Sequence, residues 1–342
     1  MGRALPGTGK HGNVALFVPH AGCPHRCSFC DQRAIAGTEE RLTPDKVEAA
    51  CLQAESRITL PGRQAELAFF GGSFTALPKK EMCALLDAAL PFVRRGVFRG
   101  IRLSTRPDCV DEGILAALAG RSVTAVELGA QSMDDAVLVQ NGRGHTAADV
   151  ERAAGLIRAR GLSQGLQMMS GLPGRPPDTD RETAARLAAL RPDTMRIYPT
   201  VALRGTPLDG MVRSGAYIPP TLEETVALCA ELLLFFEEER DIPVIRLGLH
   251  ASPDLEQNRV AGPWHPAFRE LCEGRIYRDR AASLLRECGI PPGPVRLLVH
   301  PRALSAMIGQ RRGNVVWFRE RGYRVEVEGD PALSRYRVKI GG

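Results

Sequence analysis

The chain has 342 residues, 44% of them hydrophobic and 25% charged, which fits two globular domains or one large α/β barrel with an appendage and excludes collagen-like, mucin-like and wholly disordered classes. Its most apolar run, Leu228–Phe236, is nine residues long and contains Glu231, far short of the ~20 residues of a bilayer span; the first residues carry no apolar signal-peptide core, so a cytoplasmic protein without a membrane segment is expected. The net charge of +6 falls entirely in residues 291–342, where ten basic residues stand against four acidic ones, while the other 290 residues carry 35 of each sign; this asymmetry suggests an appended element that meets a polyanion.

Hydrophobic period and chain breakers predict a repeating β-α order. A first strand over Asn13–Val18 leads into a cysteine-rich loop. Thr43-Pro44 then starts a helix, with a capping hydroxyl followed by proline at the first helical position, running to about Arg57. Next come a strand over Glu66–Phe70, a helix from Pro78 to about Val93, a strand over Ile101–Thr105 and a helix over Asp111–Leu118. A strand over Val123–Leu128 precedes two helices, near Asp134–Val139 and Ala147–Ala159. Leu166–Ser170 is a strand closed by Gly-Leu-Pro-Gly, followed by a helix over Thr179–Leu190, a strand over Thr194–Val201, a long helix over Leu222–Glu239 and a strand-like Val244–Leu249. Strands alternating with helices imply a parallel sheet with crossovers, hence an α/β barrel or a doubly wound sheet, and in such barrels the chemistry sits at the C-terminal strand ends. Residues 1–250 are assigned to this barrel, 251–290 to a helical connector and 291–342 to a small basic α+β domain after the stiff Ile290-Pro-Pro-Gly-Pro294.

Nine cysteines, an odd number without a signal peptide, argue against a disulfide framework. Cys51, Cys83 and Cys229 fall on apolar helix faces as small core residues; Cys109, Cys272 and Cys288 carry no role. The other three stand within eight residues, in Cys23-Pro-His-Arg-Cys27-Ser-Phe-Cys30, directly after the first strand. Three soft thiolates on one loop suit three corners of an iron–sulfur cubane; a zinc site completed by His20 or His25 is the alternative.

The C-x3-C-x2-C spacing, with Phe29 before the last cysteine, resembles the radical S-adenosylmethionine (SAM) superfamily. That resemblance implies a partial (β/α)6 barrel, a 4Fe–4S cluster on Cys23, Cys27 and Cys30, and SAM on the open iron. It further implies reduction by a donor such as flavodoxin or ferredoxin, and a 5′-deoxyadenosyl radical that abstracts hydrogen from a substrate. Phe29 would lie beside the cluster, and Gly71, Gly72 and Ser73, in Phe69-Phe70-Gly71-Gly72-Ser73-Phe74, resemble the glycine-rich motif that receives SAM's amine. Gln131 and Arg143, twelve residues apart, resemble the SAM-contacting pair of the oxygen-independent coproporphyrinogen oxidase branch, where a planar guanidinium grips the carboxylate. Ser104 and Gln167 take the strand ends where relatives bind SAM.

Phe70–Pro78, Ser104–Asp108, Glu127–Ser132, Asn141–Thr146, Arg196–Thr200, Arg204–Thr206 and Ser214–Tyr217 occur in the order found in the radical SAM module of the Elongator catalytic-subunit family, which modifies the wobble uridine of tRNA. The likeness covers about residues 14–250. Only about ninety residues follow, too few for that family's acetyltransferase-like domain, which leaves acetyl-CoA-dependent carboxymethylation without its donor domain. The tail reads strand, helix, turn, helix, strand, strand, and resembles a KH domain, whose G-x-x-G loop clamps single-stranded RNA. Gly309, Gln310, Arg311, Arg312 and Gly313 would form that loop, with Arg312 where the second glycine belongs. The expected function is modification of RNA, with tRNA as partner, at an unreactive carbon. The rivals are a radical SAM enzyme of small molecules or peptides, and a haem carrier using His20, His25 or His265.

Overall fold

The computed structural model describes residues 11–18, 23, 27–30, 40–58, 64–176 and 178–341. His20 and His25 lie outside the described residues.

Six strands alternate with helices as the pattern requires. They are β1 (His11–Val18), β2 (Gln64–Gly71), β3 (Ile101–Thr105), β4 (Val123–Gln131), β5 (Ser163–Ser170) and β6 (Thr194–Pro199). The helices between them are α1 (Pro44–Ile58), α2 (Lys79–Arg94), α3 (Glu112–Ala119), the pair α4 (Asp135–Gln140) and α5 (Ala147–Ala159), and α6 (Thr179–Ala189). Their starts follow sequence chemistry: Asp111, Asp134 and Thr146 each accept a backbone N–H from the first turn, and Thr146 with Asp149 forms a full capping box. The strands pair in chain order, all parallel. A seventh strand, β8 (Val244–Leu247), joins beyond β6, where the strand-like Val244–Leu249 was expected.

Burial explains the curl of this sheet into a partial barrel. Leu67, Phe69, Leu103, Val126, Leu128, Leu166, Met168, Met195 and Ile197 are buried against the helices in one apolar core. The alternate positions, Glu66, Arg102, Glu127, Gln167, Arg196 and Tyr198, line the inner face. The inner face is thus polar and the outer face apolar.

After β6 the chain forms β7 (Ala202–Leu203), α7 (Pro207–Arg213) and α8 (Leu222–Leu234), capped by Thr221 with Glu224. The long helix expected to Glu239 ends its α-helical part at Leu234 and closes in a wider turn over Phe235–Glu239, before β8 (Val244–Leu247). Residues 251–290, expected as a helical connector, contain α9 (Pro253–Asn258) and β9 (Arg259–Ala261), which pairs antiparallel with β7. They also hold the 20-residue helix α10 (Phe268–Glu287), which packs along α8.

The tail consists of β10 (Pro294–Val299), α11 (Leu304–Ile308), α12 (Gly313–Arg319), β11 (Arg324–Gly329) and β12 (Val338–Ile340). Its sheet is mixed, with β10 parallel to β11 and antiparallel to β12. Leu297, Val299, Phe318 and Tyr336 belong to the same apolar core as Cys272, Ile276 and Tyr277 of α10. Arg335 adds ion pairs to Glu237 (2.7 Å) and Glu273 (2.6 Å), and the Tyr336 N–H donates to the Tyr277 hydroxyl at 2.7 Å.

Candidate functional site

The three clustered cysteines follow β1, an edge strand of the sheet, in the sequence. Cys27 is buried, whereas Cys23 and Cys30 are partly exposed; none of the nine cysteines forms a disulfide. The Cys30 N–H donates to the Cys27 carbonyl at 3.2 Å, turning the chain tightly between two thiols. No three His, Cys, Asp or Glu side chains among the described residues already stand as a closed metal site.

Arg143 reaches Cys27. Its Nη1 donates to Cys27 Sγ at 3.1 Å and its Nη2 to the Gly129 carbonyl at 2.6 Å, while the buried Nε has no partner. The end of α4 aims this side chain. Asn141 caps the helix and Gly142 follows at φ +62°; the Gly142 and Arg143 N–H groups donate back to the Val139 and Leu138 carbonyls. This is the double hydrogen-bonded helix ending that needs a left-handed residue just after the cap. Arg106 lies beneath. It is held by Asp108 (2.9 and 3.1 Å) and donates to the Arg143 carbonyl. One guanidinium thus touches the buried thiol, with a second bonded to its backbone, and the first presents an unused, desolvated N–H suited to an anion.

At the end of β4 the register to β5 slips between Gly129 and Gln131, and Gln131 adopts φ +67°. A non-glycine residue in the left-handed region costs ~1–3 kcal/mol and marks a site that needs its geometry. The twist turns Gln131 to accept from Gln167 Nε2 at 3.2 Å. A Cβ on Gly129 would stand 2.8 Å from Gln131 Nε2, so glycine leaves room for this pair. At the end of β2, Gly71 has φ +103° and passes so close to β1 that a Cβ would lie 3.1 Å from the Val18 carbonyl oxygen. The next N–H, of Gly72, donates to that same oxygen at 2.9 Å.

The expected site residues therefore divide. Cys27, Arg143, Gln131 and Gln167 form one connected group around Gly129. Phe29 packs with Val137, Met169, Leu172 and Tyr198 beside it. Ser73 is fully buried and ties two strand ends together: its hydroxyl lies 2.9 Å from that of Thr105 and accepts from the Arg106 N–H at 3.2 Å. Ser104 stands in register with Glu127 on the inner face. His265 accepts the Ala267 N–H on its Nδ1 at 3.0 Å.

Several residues escaped the sequence reading. Glu127 is the hub of an inner-face network, paired with Arg102 at 2.7 Å and with Arg196 at 2.6 Å; Arg102 also meets Glu66 at 2.9 Å. A charged residue at alternate positions of otherwise apolar parallel strands was the available signal. His145 is buried, with Nε2 3.2 Å from the Ala130 carbonyl and Nδ1 unpartnered. Burial, and then the charge of Arg143, hold its pKa down to about 4. Asp180, pushed above the usual carboxylate range by burial, accepts the Gly171 N–H at 3.1 Å and lies 3.5 Å from Arg175.

The radical SAM superfamily model matches residues 17–187, half of the chain, and the Radical_SAM C-terminal domain matches residues 192–278. The chain belongs to the radical SAM superfamily. It is a radical SAM enzyme whose cofactors are a 4Fe–4S cluster and SAM. The donor set fits them: three thiols on one loop for the cluster and an unpartnered buried Arg143 N–H for an anionic group. The chain is 26% identical over 309 residues to a tRNA uridine(34) acetyltransferase of Dehalococcoides mccartyi, covering 78% of this chain and 65% of that protein. It is 28% identical over 284 residues to an uncharacterized protein of Methanocaldococcus jannaschii, covering 80% and 84%. Among solved structures, the archaeal Methanocaldococcus infernus Elp3 lacking its N-terminus superposes with a TM-score of 0.60 at 20% identity, covering 82% of this chain and 64% of that one. The radical SAM module here is thus Elongator-like, and the chain spans less than two thirds of the acetyltransferase and of Elp3.

Proposed function

We propose that this radical SAM enzyme modifies RNA, with tRNA as its substrate, at an unreactive carbon, in the cytoplasm, with a flavodoxin or ferredoxin as electron donor. Cys23, Cys27 and Cys30 hold the cluster; Phe29, Gly71, Gly72, Ser73, Ser104, Gln131, Arg143 and Gln167 line the SAM site. Cluster and SAM together supply, when bound, the 5′-deoxyadenosyl radical that abstracts hydrogen. The protein's own part is to shield and orient. Arg143 and Arg106 supply positive charge beside Cys27, the bulge aims Gln131, and the network around Glu127 fixes the inner wall. The observation that carries the RNA reading is the Elongator-like module joined to a tail that holds the whole net charge. In that tail Gly309, at φ +79°, opens an exposed turn where Gln310, Arg311, Arg312 and Gly313 stand ready for a phosphate backbone in the manner of a KH loop. A stacked base cannot reach a buried radical, so the target nucleotide would be unpaired or extruded.

RNA mass spectrometry of a deletion strain against its parent tests this: one modified nucleoside should disappear, and purified enzyme loaded without oxygen should restore it while releasing 5′-deoxyadenosine. An unchanged nucleoside profile, with 5′-deoxyadenosine released on a metabolite instead, would transfer the assignment to small-molecule chemistry.

A further inference from the structure

Ser28 lies between two of the three clustered cysteines and is fixed at three points. Its N–H donates to the Asn141 carbonyl at 3.0 Å, its hydroxyl to Asn141 Oδ1 at 2.7 Å, and its own carbonyl accepts the Leu208 N–H at 2.9 Å. Asn141 is completely buried, and both its amide nitrogen and its amide oxygen are hydrogen-bonded. Nδ2 donates to the Val137 carbonyl at 2.8 Å and to the Pro173 carbonyl at 3.0 Å. Flipping the amide would set its oxygen against both carbonyls, so its orientation is determined by its neighbours.

We propose that Asn141 is a positioning residue that holds the Cys27–Cys30 turn in its ligand-bearing shape before any cluster binds. It joins three separate segments: the cysteine loop, the end of α4 and the Gly171–Gly174 loop. The same helix ending also projects Arg143, two residues on, against Cys27 Sγ. One short stretch, Asn141-Gly142-Arg143, therefore fixes both the backbone next to Cys27 and the cation at its sulfur. A loop ordered in advance loses less conformational entropy when a ligand arrives. The inference rests on Cys23, Cys27 and Cys30 being the cluster ligands.

Ser28→Ala removes one hydroxyl and leaves the backbone links; Ser28→Thr keeps the hydroxyl; Asn141→Ala removes the whole amide. Two rates are read: iron release to a chelator from anaerobically loaded protein, and iodoacetamide alkylation of Cys27 in the apoprotein, resolved by mass spectrometry. Ser28→Ala, which loses one buried hydrogen bond, should raise both rates roughly three- to tenfold, and Asn141→Ala, which loses three, should raise them at least as much. Ser28→Thr should stay near wild type, and the double alanine variant should be no faster than Asn141→Ala alone. Wild-type rates in Ser28→Ala, or effects that multiply in the double variant, would overturn the proposal. Should Asn141→Ala fail to fold, the Ser28 pair decides: a difference between Ala and Thr supports the clamp, and equal rates refute it. Wild-type protein that takes up no iron would refute the ligand assignment instead, and the alkylation rates, which need no cluster, would still decide the clamp.

Discussion

Arg143 Nε is a buried N–H with no acceptor among the described residues, a donor that a bound carboxylate could complete. Arg143→Ala should weaken SAM binding roughly ten- to hundredfold, since a charged hydrogen bond is worth ~1.5–3 kcal/mol, and Arg143→Lys should recover only part because one ammonium cannot replace a fork that holds Cys27 Sγ and the Gly129 carbonyl while presenting Nε. Equilibrium binding of SAM to the loaded protein checks this; an unchanged dissociation constant removes Arg143 from the site. His145, beside it, gives a pH signature. Its folded pKa, about 4, lies below the ordinary histidine value near 6.5. Above pH 6.5 the ring is neutral in both states and contributes no pH dependence. Below it the unfolded chain takes up a proton that the folded protein refuses, so stability falls as pH drops from 6.5 towards 4, by about 2 kcal/mol at pH 5. Chemical denaturation at pH 7 and pH 5 should show this loss in the wild type and a smaller one in His145→Gln.

At the scale of elements, one buried amide adds to the shared core and ion pairs that join the tail to α10. Asn314 is buried, and its Nδ2 faces the carbonyls of Gly274 (2.8 Å), Ala306 (3.1 Å) and Met307 (3.1 Å). It therefore closes the end of α11 and ties it to α10. Asn314→Ala strands these carbonyls and should cost ~1–3 kcal/mol, read as faster hydrogen exchange across α11 and α12 with exchange in β2 to β5 unchanged. The strands and helices of the barrel were legible because alternation, capping residues and glycines each act locally: Thr43 with Pro44 marks a helix start, and Gly171-Leu-Pro-Gly174 a strand end, wherever the chain folds. The C-x3-C-x2-C loop was legible for the same reason, its spacing being the chemistry. The clamp between Ser28 and Asn141, 113 residues apart, was not, nor was the Glu127 hub, which joins β2, β3, β4 and β6. Those depend on which strands become neighbours, and no local preference encodes that. The β7–β9 pair was missed because two- and three-residue strands carry no period.

For the whole molecule, the distribution of charge decides how it would meet RNA. The barrel and connector are neutral in sum, and most of their arginines are ion-paired, as Arg102, Arg181, Arg196 and Arg269 are. Arg311, Arg312 and Arg319 differ: they are exposed and make no ion pair among the described residues. Unpaired cations on a protein surface condense counterions weakly and gain most from a polyanion, whose own counterions are released on binding. Deleting the tail is a poor test, because Leu297, Val299, Phe318 and Tyr336 share a core with α10 and their loss would expose that helix. Charge substitution is cleaner. Single-strand binding loses ~0.7 in log K per unit log salt for each phosphate neutralised, so three arginine contacts give a slope near 2 and roughly a decade of affinity between 50 and 200 mM salt. Arg311→Ala with Arg312→Ala should flatten that slope by about one to two units while leaving iron content and SAM cleavage as in the wild type, since neither residue approaches the barrel mouth network. RNA binding with an unchanged slope in the double variant would move the nucleic-acid surface elsewhere on the molecule, and no RNA binding by the wild type at 50 mM salt would leave the tail as a structural cap on α10.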